Sequence, residues 1–131
     1  MWITVDPKSE TPVSSQIVAA LVLGIAEGRL KDGDKLPSVR AAAELWRVNP
    51  NTVLKVYQEL EREGYVEAKN GSGVWIAAGA VKHAKRSATK RLEDDLIEWA
   101  RRAEALGVSG SEIRAMIEST LIDRQPERTP S

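Results

Sequence analysis

The chain has 131 residues, enough for one compact domain or for one small domain with a short appendage, and too few for a large enzyme. Nineteen Lys and Arg balance nineteen Asp and Glu, and there is no cysteine. This excludes disulfides, thiolate nucleophiles and thiolate zinc sites, and suits a reducing compartment. Residues 1–79 carry nine cations against ten carboxylates and residues 80–131 carry ten against nine, so a nucleic-acid site has to be a local patch. The start, Met1-Trp2-Ile3-Thr4-Val5-Asp6-Pro7, has no basic segment followed by an apolar one, and no run reaches the ~18 apolar residues of a membrane span. The expected location is the cytoplasm, with no membrane partner.

Trp2 to Val5 reads as a short strand or extended arm ending at Asp6-Pro7. A first helix is expected with Thr11 as N-cap and Pro12 as its first residue; Val13, Ile17, Ala20, Leu21 and Ile25 recur at helical spacing, and Gly28 is its stop. The turn-rich connector 29–37 has Leu30 and Leu36 as inward anchors. Ser38 then caps a short helix from about Val39 to Trp46, with Val39, Ala42, Ala43 and Trp46 on one face. Asn49 caps a third helix that opens on Pro50, buries Val53, Val56, Tyr57 and Leu60, and closes at Gly64. The period then becomes strand-like. Tyr65 to Lys69, a turn at Asn70-Gly71-Ser72-Gly73, and Val74 to Ile76 make a hairpin.

Helix, helix, turn, helix, hairpin is the order of a winged helix-turn-helix. The expected fold is therefore mainly α with a small β-hairpin: a winged helix-turn-helix over 1–79, then a linker and helical dimerisation region over 80–131. The basic run with Lys82, His83, Lys85, Arg86, Lys90 and Arg91 reads as a solvated linker, and its lone histidine as a solvated side chain. From about Ala88 to Leu106, the residues Leu92, Leu96, Trp99, Ala103 and Leu106 step by four, three, four and three, the seam spacing of a coiled-coil helix. Gly107 ends it. Ser109 or Ser111 then caps a last helix with Ile113, Met116, Ile117, Thr120 and Leu121, and a polar tail runs from Arg124. Leu92, Leu96, Trp99, Ala103, Leu106, Ile113, Met116, Ile117 and Leu121 are the expected dimer surface.

With one side of the third helix in the core, Asn51, Thr52, Lys55 and Gln58 project from the other. A major groove accepts one helix, Asn pairs with adenine through two hydrogen bonds, and Lys reaches guanine or a phosphate. Asn51 is the first choice for base reading. Asn49 sits at the same helix start, and Ser38 and Arg40 lie at the start of the second helix, where N–H groups and the helix dipole favour a phosphate. Arg47, and Lys69, Gly71 and Ser72 at the hairpin tip, complete the expected DNA-contacting set. The bland alternatives are a solvated helix face for Asn51, Thr52 and Lys55, and a surface ion pair to Glu44 for Arg40. Trp46, Tyr57 and Trp75 fall on apolar stripes and read as packing groups rather than stacking platforms.

The blocks Leu36-Pro37-Ser38-Val39-Arg40, Val48-Asn49-Pro50-Asn51-Thr52-Val53, Tyr57 to Val66 and Gly71 to Ile76 closely resemble the GntR family of bacterial transcription regulators. The resemblance runs over roughly residues 11–77, and the short helical end is similar to the YtrA subfamily. It implies a DNA-binding winged helix-turn-helix, phosphate contact by Arg40, a small helical unit that pairs two copies, and repression as the commoner outcome. Two residues depart from the family pattern. Arg47 stands where the family commonly has glycine before the recognition helix, and Ser14-Ser15 replaces an aromatic residue in the first helix. One small module offers few contacts, so a homodimer on an inverted-repeat duplex is expected. The alternative is a winged helix that docks on protein without binding DNA. An enzyme is not expected: there is no second histidine, no phosphate-cradling glycine loop and no metal-ligand cluster. No cofactor is expected either. The C-terminal helices are too short for a dedicated sensory pocket, so an effector would have only a cleft between two copies to occupy.

Overall fold

In the computed structural model, which describes residues 2–124, five helices and one hairpin follow in the order α1 (Val13–Ala26), α2 (Val39–Trp46), α3 (Pro50–Arg62), β1 (Val66–Lys69), β2 (Gly73–Ile76), α4 (Ala80–Ala105) and α5 (Gly110–Arg124). The chain divides into two compact units, residues 1–89 and 90–131.

The first unit is organised around α3. Val53, Val56, Tyr57 and Leu60 are buried on one side of it. Ile17, Leu21 and Ile25 from α1 and Ala42, Ala43 and Trp46 from α2 pack into the same core, with Leu30 and Leu36 anchoring the connector. The Trp46 and Tyr57 rings meet edge to face, 6.4 Å apart, and the Tyr57 hydroxyl donates to the Pro37 carbonyl at 2.7 Å. Burial pushes that phenol well above its ordinary pKa, so Tyr57 stays a neutral donor.

The start of α1 differs from expectation. Pro12, not Thr11, is its N-cap residue, and no side chain caps it. Gln16 folds back instead. Its Nε2 donates to the Asp6 and Thr11 carbonyls, and its Oε1 accepts from the Asp6 N–H. A side chain one turn into the helix thus organises the entry that a Thr11 cap would have organised. The arm before it forms no strand. Ile3 is buried, and the Trp2 ring lies against Gly24, where a Cβ would collide with it. The Arg29 guanidinium sits 5.4 Å from the Trp2 ring centroid.

The hairpin pairs antiparallel, with Val66 opposite Ile76, Glu67 opposite Trp75, Ala68 opposite Val74 and Lys69 opposite Gly73. Ser72 N–H donates to the Lys69 carbonyl across the tip. Gly71 has φ 74°, a conformation that costs glycine nothing. The connector supplies a rudimentary third strand: Lys35 bridges to Trp75, Leu36 N–H donates to Val74 O and Ile76 N–H to Asp34 O.

The stretch 80–88, expected as linker, is helical. Ala80 and Ala84 are buried in the core of the first unit, and Val81 and Ala88 pack against it. Asp32 accounts for where the helix starts, because its carboxylate accepts from the Gly79 N–H at 2.8 Å and the Val81 N–H at 3.1 Å. These are donors that a helix N-terminus leaves without a partner inside the helix. Both bonds favour the carboxylate and hold Asp32 below the ordinary aspartate range. A depressed folded-state pKa gives stability that is present above the unfolded-state value and is lost as pH falls through the folded one. Asp32→Asn is therefore expected to melt below the parent protein at pH 7, with the gap closing as pH drops below about 4. Parallel thermal melts across that range check it, and a gap that stays constant with pH would count against the capping role.

His83 is also more constrained than a linker side chain. It stays exposed, yet its ring stacks on Tyr65 at 4.4 Å and its Nε2 lies 3.0 Å from the Glu63 carbonyl oxygen.

In the second unit, Gly107 takes φ 84° after α4, and Ser109 begins α5 with a reciprocal cap. Ser109 Oγ accepts from the Glu112 N–H, and Glu112 Oε1 accepts from the Ser109 N–H. The Ser109 N–H, and its hydroxyl beside it, hold the Glu112 carboxyl below its usual range. Ala103 is buried, but Leu92, Leu96, Leu106, Met116, Ile117 and Leu121 are exposed. Leu96, Trp99, Met116, Ile117, Thr120 and Leu121 line an apolar groove of about 330 Å³. The tail beyond Arg124 lies outside the described residues.

Candidate nucleic-acid interface

The recognition helix is presented by its cap. Asn49 has extended backbone angles, its Oδ1 accepts from the Asn51 N–H at 2.7 Å, and Pro50 follows at a position that needs no N–H. Opposite the buried stripe, Asn51, Lys55 and Gln58 are exposed and Thr52 is half-buried. Spacings of three, four and seven put Asn51, Leu54, Lys55 and Gln58 on one face. Leu54 is the residue the sequence reading missed there. It lies off the buried stripe, and only its exposure marks it.

At the start of α2, Ser38 Oγ accepts from the Ala41 N–H at 3.1 Å, so this hydroxyl is the N-cap and leaves its proton free to donate outward. Arg40 is exposed and, among the described residues, forms no ion pair; the bridge to Glu44 is not made. Arg47 ends α2 in the left-handed region, φ 55° and ψ 52°, the only described non-glycine residue with positive φ. The turn therefore keeps the shape that glycine commonly provides and carries a cation at its apex. Arg47→Gly is expected to raise unfolding stability by about 0.5–1 kcal/mol, the left-handed strain relieved less the entropy glycine adds to the unfolded chain. Urea titration tests this, and a loss of stability would refute the strain assignment.

At the hairpin, Lys69 is exposed near the tip, but its ammonium lies 5.3 Å from the Trp75 ring centroid, and Lys35 Nζ lies at the same distance. Trp75 is half-buried and holds two cations on the wing. Lys35 went unnoticed in the sequence because it sits in the connector, forty residues from the tryptophan it reaches. Lys35 also crosses Gly73, where a Cβ would fall 2.9 Å from its Cε. Gly71 and Ser72 sit exposed at the tip, and the Ser72 hydroxyl is turned back to the Lys69 carbonyl at 3.3 Å.

The structure thus brings Asn49, Asn51, Thr52, Lys55 and Gln58 together on one helix, flanked in sequence by Arg47 and by the Ser38–Arg40 helix start. No group of acidic or histidine side chains among the described residues is placed to hold a metal. A capped helix with a polar outer stripe, a flanking turn cation and a hairpin whose Trp75 gathers two lysines make up a winged helix-turn-helix, a fold whose third helix is shaped to enter a DNA groove.

Comparison with known proteins gives the family. Residues 13–76 match the model of the bacterial regulatory proteins of the gntR family. The chain is 47% identical over 78 residues to the HTH-type transcriptional repressor YtrA of Bacillus subtilis, a match spanning 60% of each protein. A crystal structure of a transcriptional regulator from Oenococcus oeni superposes with a TM-score of 0.82 at 32% identity, covering 89% of this chain and 97% of that one. YtrA from Sulfolobus acidocaldarius, a GntR-family transcription factor, superposes with a TM-score of 0.58 at 33% identity, covering 72% of this chain and 99% of that one. The chain belongs to the GntR family.

Proposed function

We propose that the protein is a repressor that binds an inverted-repeat operator in double-stranded DNA as a homodimer in the cytoplasm. In this reading α3 enters the major groove, Asn51 reads a base edge, and Lys55 and Gln58 read or flank neighbouring pairs. Ser38, Arg40, Arg47 and Asn49 set the register on phosphates, and Lys69, Gly71 and Ser72 bring the wing to the adjacent backbone. The DNA contacts lie within residues 1–79, and the pairing of two copies falls to the helices of the second unit, from residue 90 onward. No enzymatic step and no cofactor enters this reading.

The observation that carries the DNA site is the exposed stripe of α3 opposite its buried one. The pairing rests on the uncovered apolar side chains of the second unit: Leu96 is 52% and Leu121 61% exposed, contiguous enough to line one groove with Trp99, Met116 and Ile117. Apolar surface of this kind calls for a partner. A two-fold pairing meets the need with the chain's own surface. The name of the Bacillus subtilis relative supports repression.

The test is selection of bound duplexes from a randomised pool, followed by titration of the enriched duplex against salt. An inverted repeat with half-sites about one helical turn or a multiple of it apart, and affinity falling steeply with salt through counterion release, is the expected result. Absence of enrichment at low salt would favour the protein-docking alternative.

A further inference from the structure

We propose that Leu54 reads the methyl group of a thymine in each half-site, an inference that rests on the DNA-binding reading above. Leu54 is 45% exposed, whereas Val53, Val56, Tyr57 and Leu60 of the same helix are almost wholly buried. Its neighbours on the outer face, at spacings of three, one and four, are Asn51, Lys55 and Gln58. An apolar protein partner seated there would have to cover two amides and an ammonium group, each losing its water without a stated partner. A major-groove floor matches the mixture instead. It offers acceptors and donors to the amides and the ammonium, and among the groups it displays the C5 methyl of thymine is the apolar one.

The helix rise fixes where that thymine lies. Three residues advance about 4.5 Å along the helix, close to one base-pair step of about 3.4 Å. Leu54 therefore reaches a base pair one or two steps from the one that Asn51 reads. Asn51 favours adenine, so the half-site contains an adenine and, within two steps, a thymine whose methyl is covered by Leu54.

The experiment takes the duplex enriched from the randomised pool and replaces its thymines one at a time by deoxyuridine, which lacks only the methyl. Binding is measured for the full-length protein and for Leu54→Ala and Leu54→Gln, with circular dichroism confirming that both variants fold. One thymine per half-site is expected to lose about fourfold in affinity on methyl removal, the worth of burying one methyl group. Both variants are expected to be indifferent to that replacement. An enriched half-site without thymine, indifference of the parent protein to every uracil, or an equal loss in the variants would overturn the proposal while leaving DNA binding intact. Failure to enrich any duplex would overturn the DNA-binding reading, and this inference with it.

Discussion

Leu96→Asp combined with Trp99→Asp is expected to convert a homodimer into a monomer that retains its helical content. Both side chains line the apolar groove of the second unit. Burying a side chain of this size against a partner is worth about 1.5–3 kcal/mol, and two-fold symmetry applies the loss twice. A carboxylate brought into such an interface adds a desolvation cost with no cation to offset it. Dissociation should therefore weaken the pair by at least about a thousandfold. Sedimentation velocity measures it directly, and variants that still sediment with the parent protein would remove this face from the dimer. The loss should also reach DNA binding, because a lone module keeps only one half-site's contacts.

The second large effect is expected at α3. Asn51→Ala removes a side chain able to make a bidentate pair with adenine, a contact worth about 1–3 kcal/mol of discrimination. Two half-sites double that, so affinity for the selected operator should fall between about thirtyfold and about twenty-thousandfold, while binding to unrelated duplexes changes little. Arg40→Ala should do the opposite. It should weaken binding to all sequences alike and flatten the salt dependence by about one phosphate contact per half-site. Fluorescence anisotropy with operator and scrambled duplexes separates the two patterns. Equal losses on both duplexes for Asn51→Ala would reassign it from reading bases to holding the backbone.

The parts of this fold legible in the sequence were those specified locally. The Ser38 and Asn49 caps, Pro50 at the helix start, and the stripe Val53, Val56, Tyr57 and Leu60 each follow from residues within one or two turns. The hairpin was equally readable, since alternation and an Asn-Gly turn are short-range signals. What escaped depends on distant contacts. The first two turns of α4 bury Ala80 and Ala84, small residues whose period of four was masked by the intervening lysines and arginine. The Thr11 cap was displaced by Gln16, whose reach back to Asp6 closes a loop of ten residues. Trp2 found its partner in Gly24, and Lys35 found Trp75, through tertiary packing that no local pattern encodes. Of the candidate site, the helix face was readable by subtraction from the buried stripe. Leu54 escaped because an apolar residue is ordinarily assigned to a core.

The connector between α1 and α2 has a consequence for how this protein can vary. Within a few residues, Asp32 holds the start of α4, Lys35 and Leu36 lengthen the sheet at β2, and Pro37 receives the Tyr57 hydroxyl from α3. Surface loops ordinarily absorb insertions and deletions with little loss. This one has no slack: a single added residue would reverse which side of the strand Lys35 and Leu36 face, putting the lysine toward the core and the leucine toward water. Its length is thus as restricted as that of a buried strand. Wing, recognition helix and the start of α4 are expected to open together in hydrogen exchange, as one cooperative piece joined through nine residues of apparent loop.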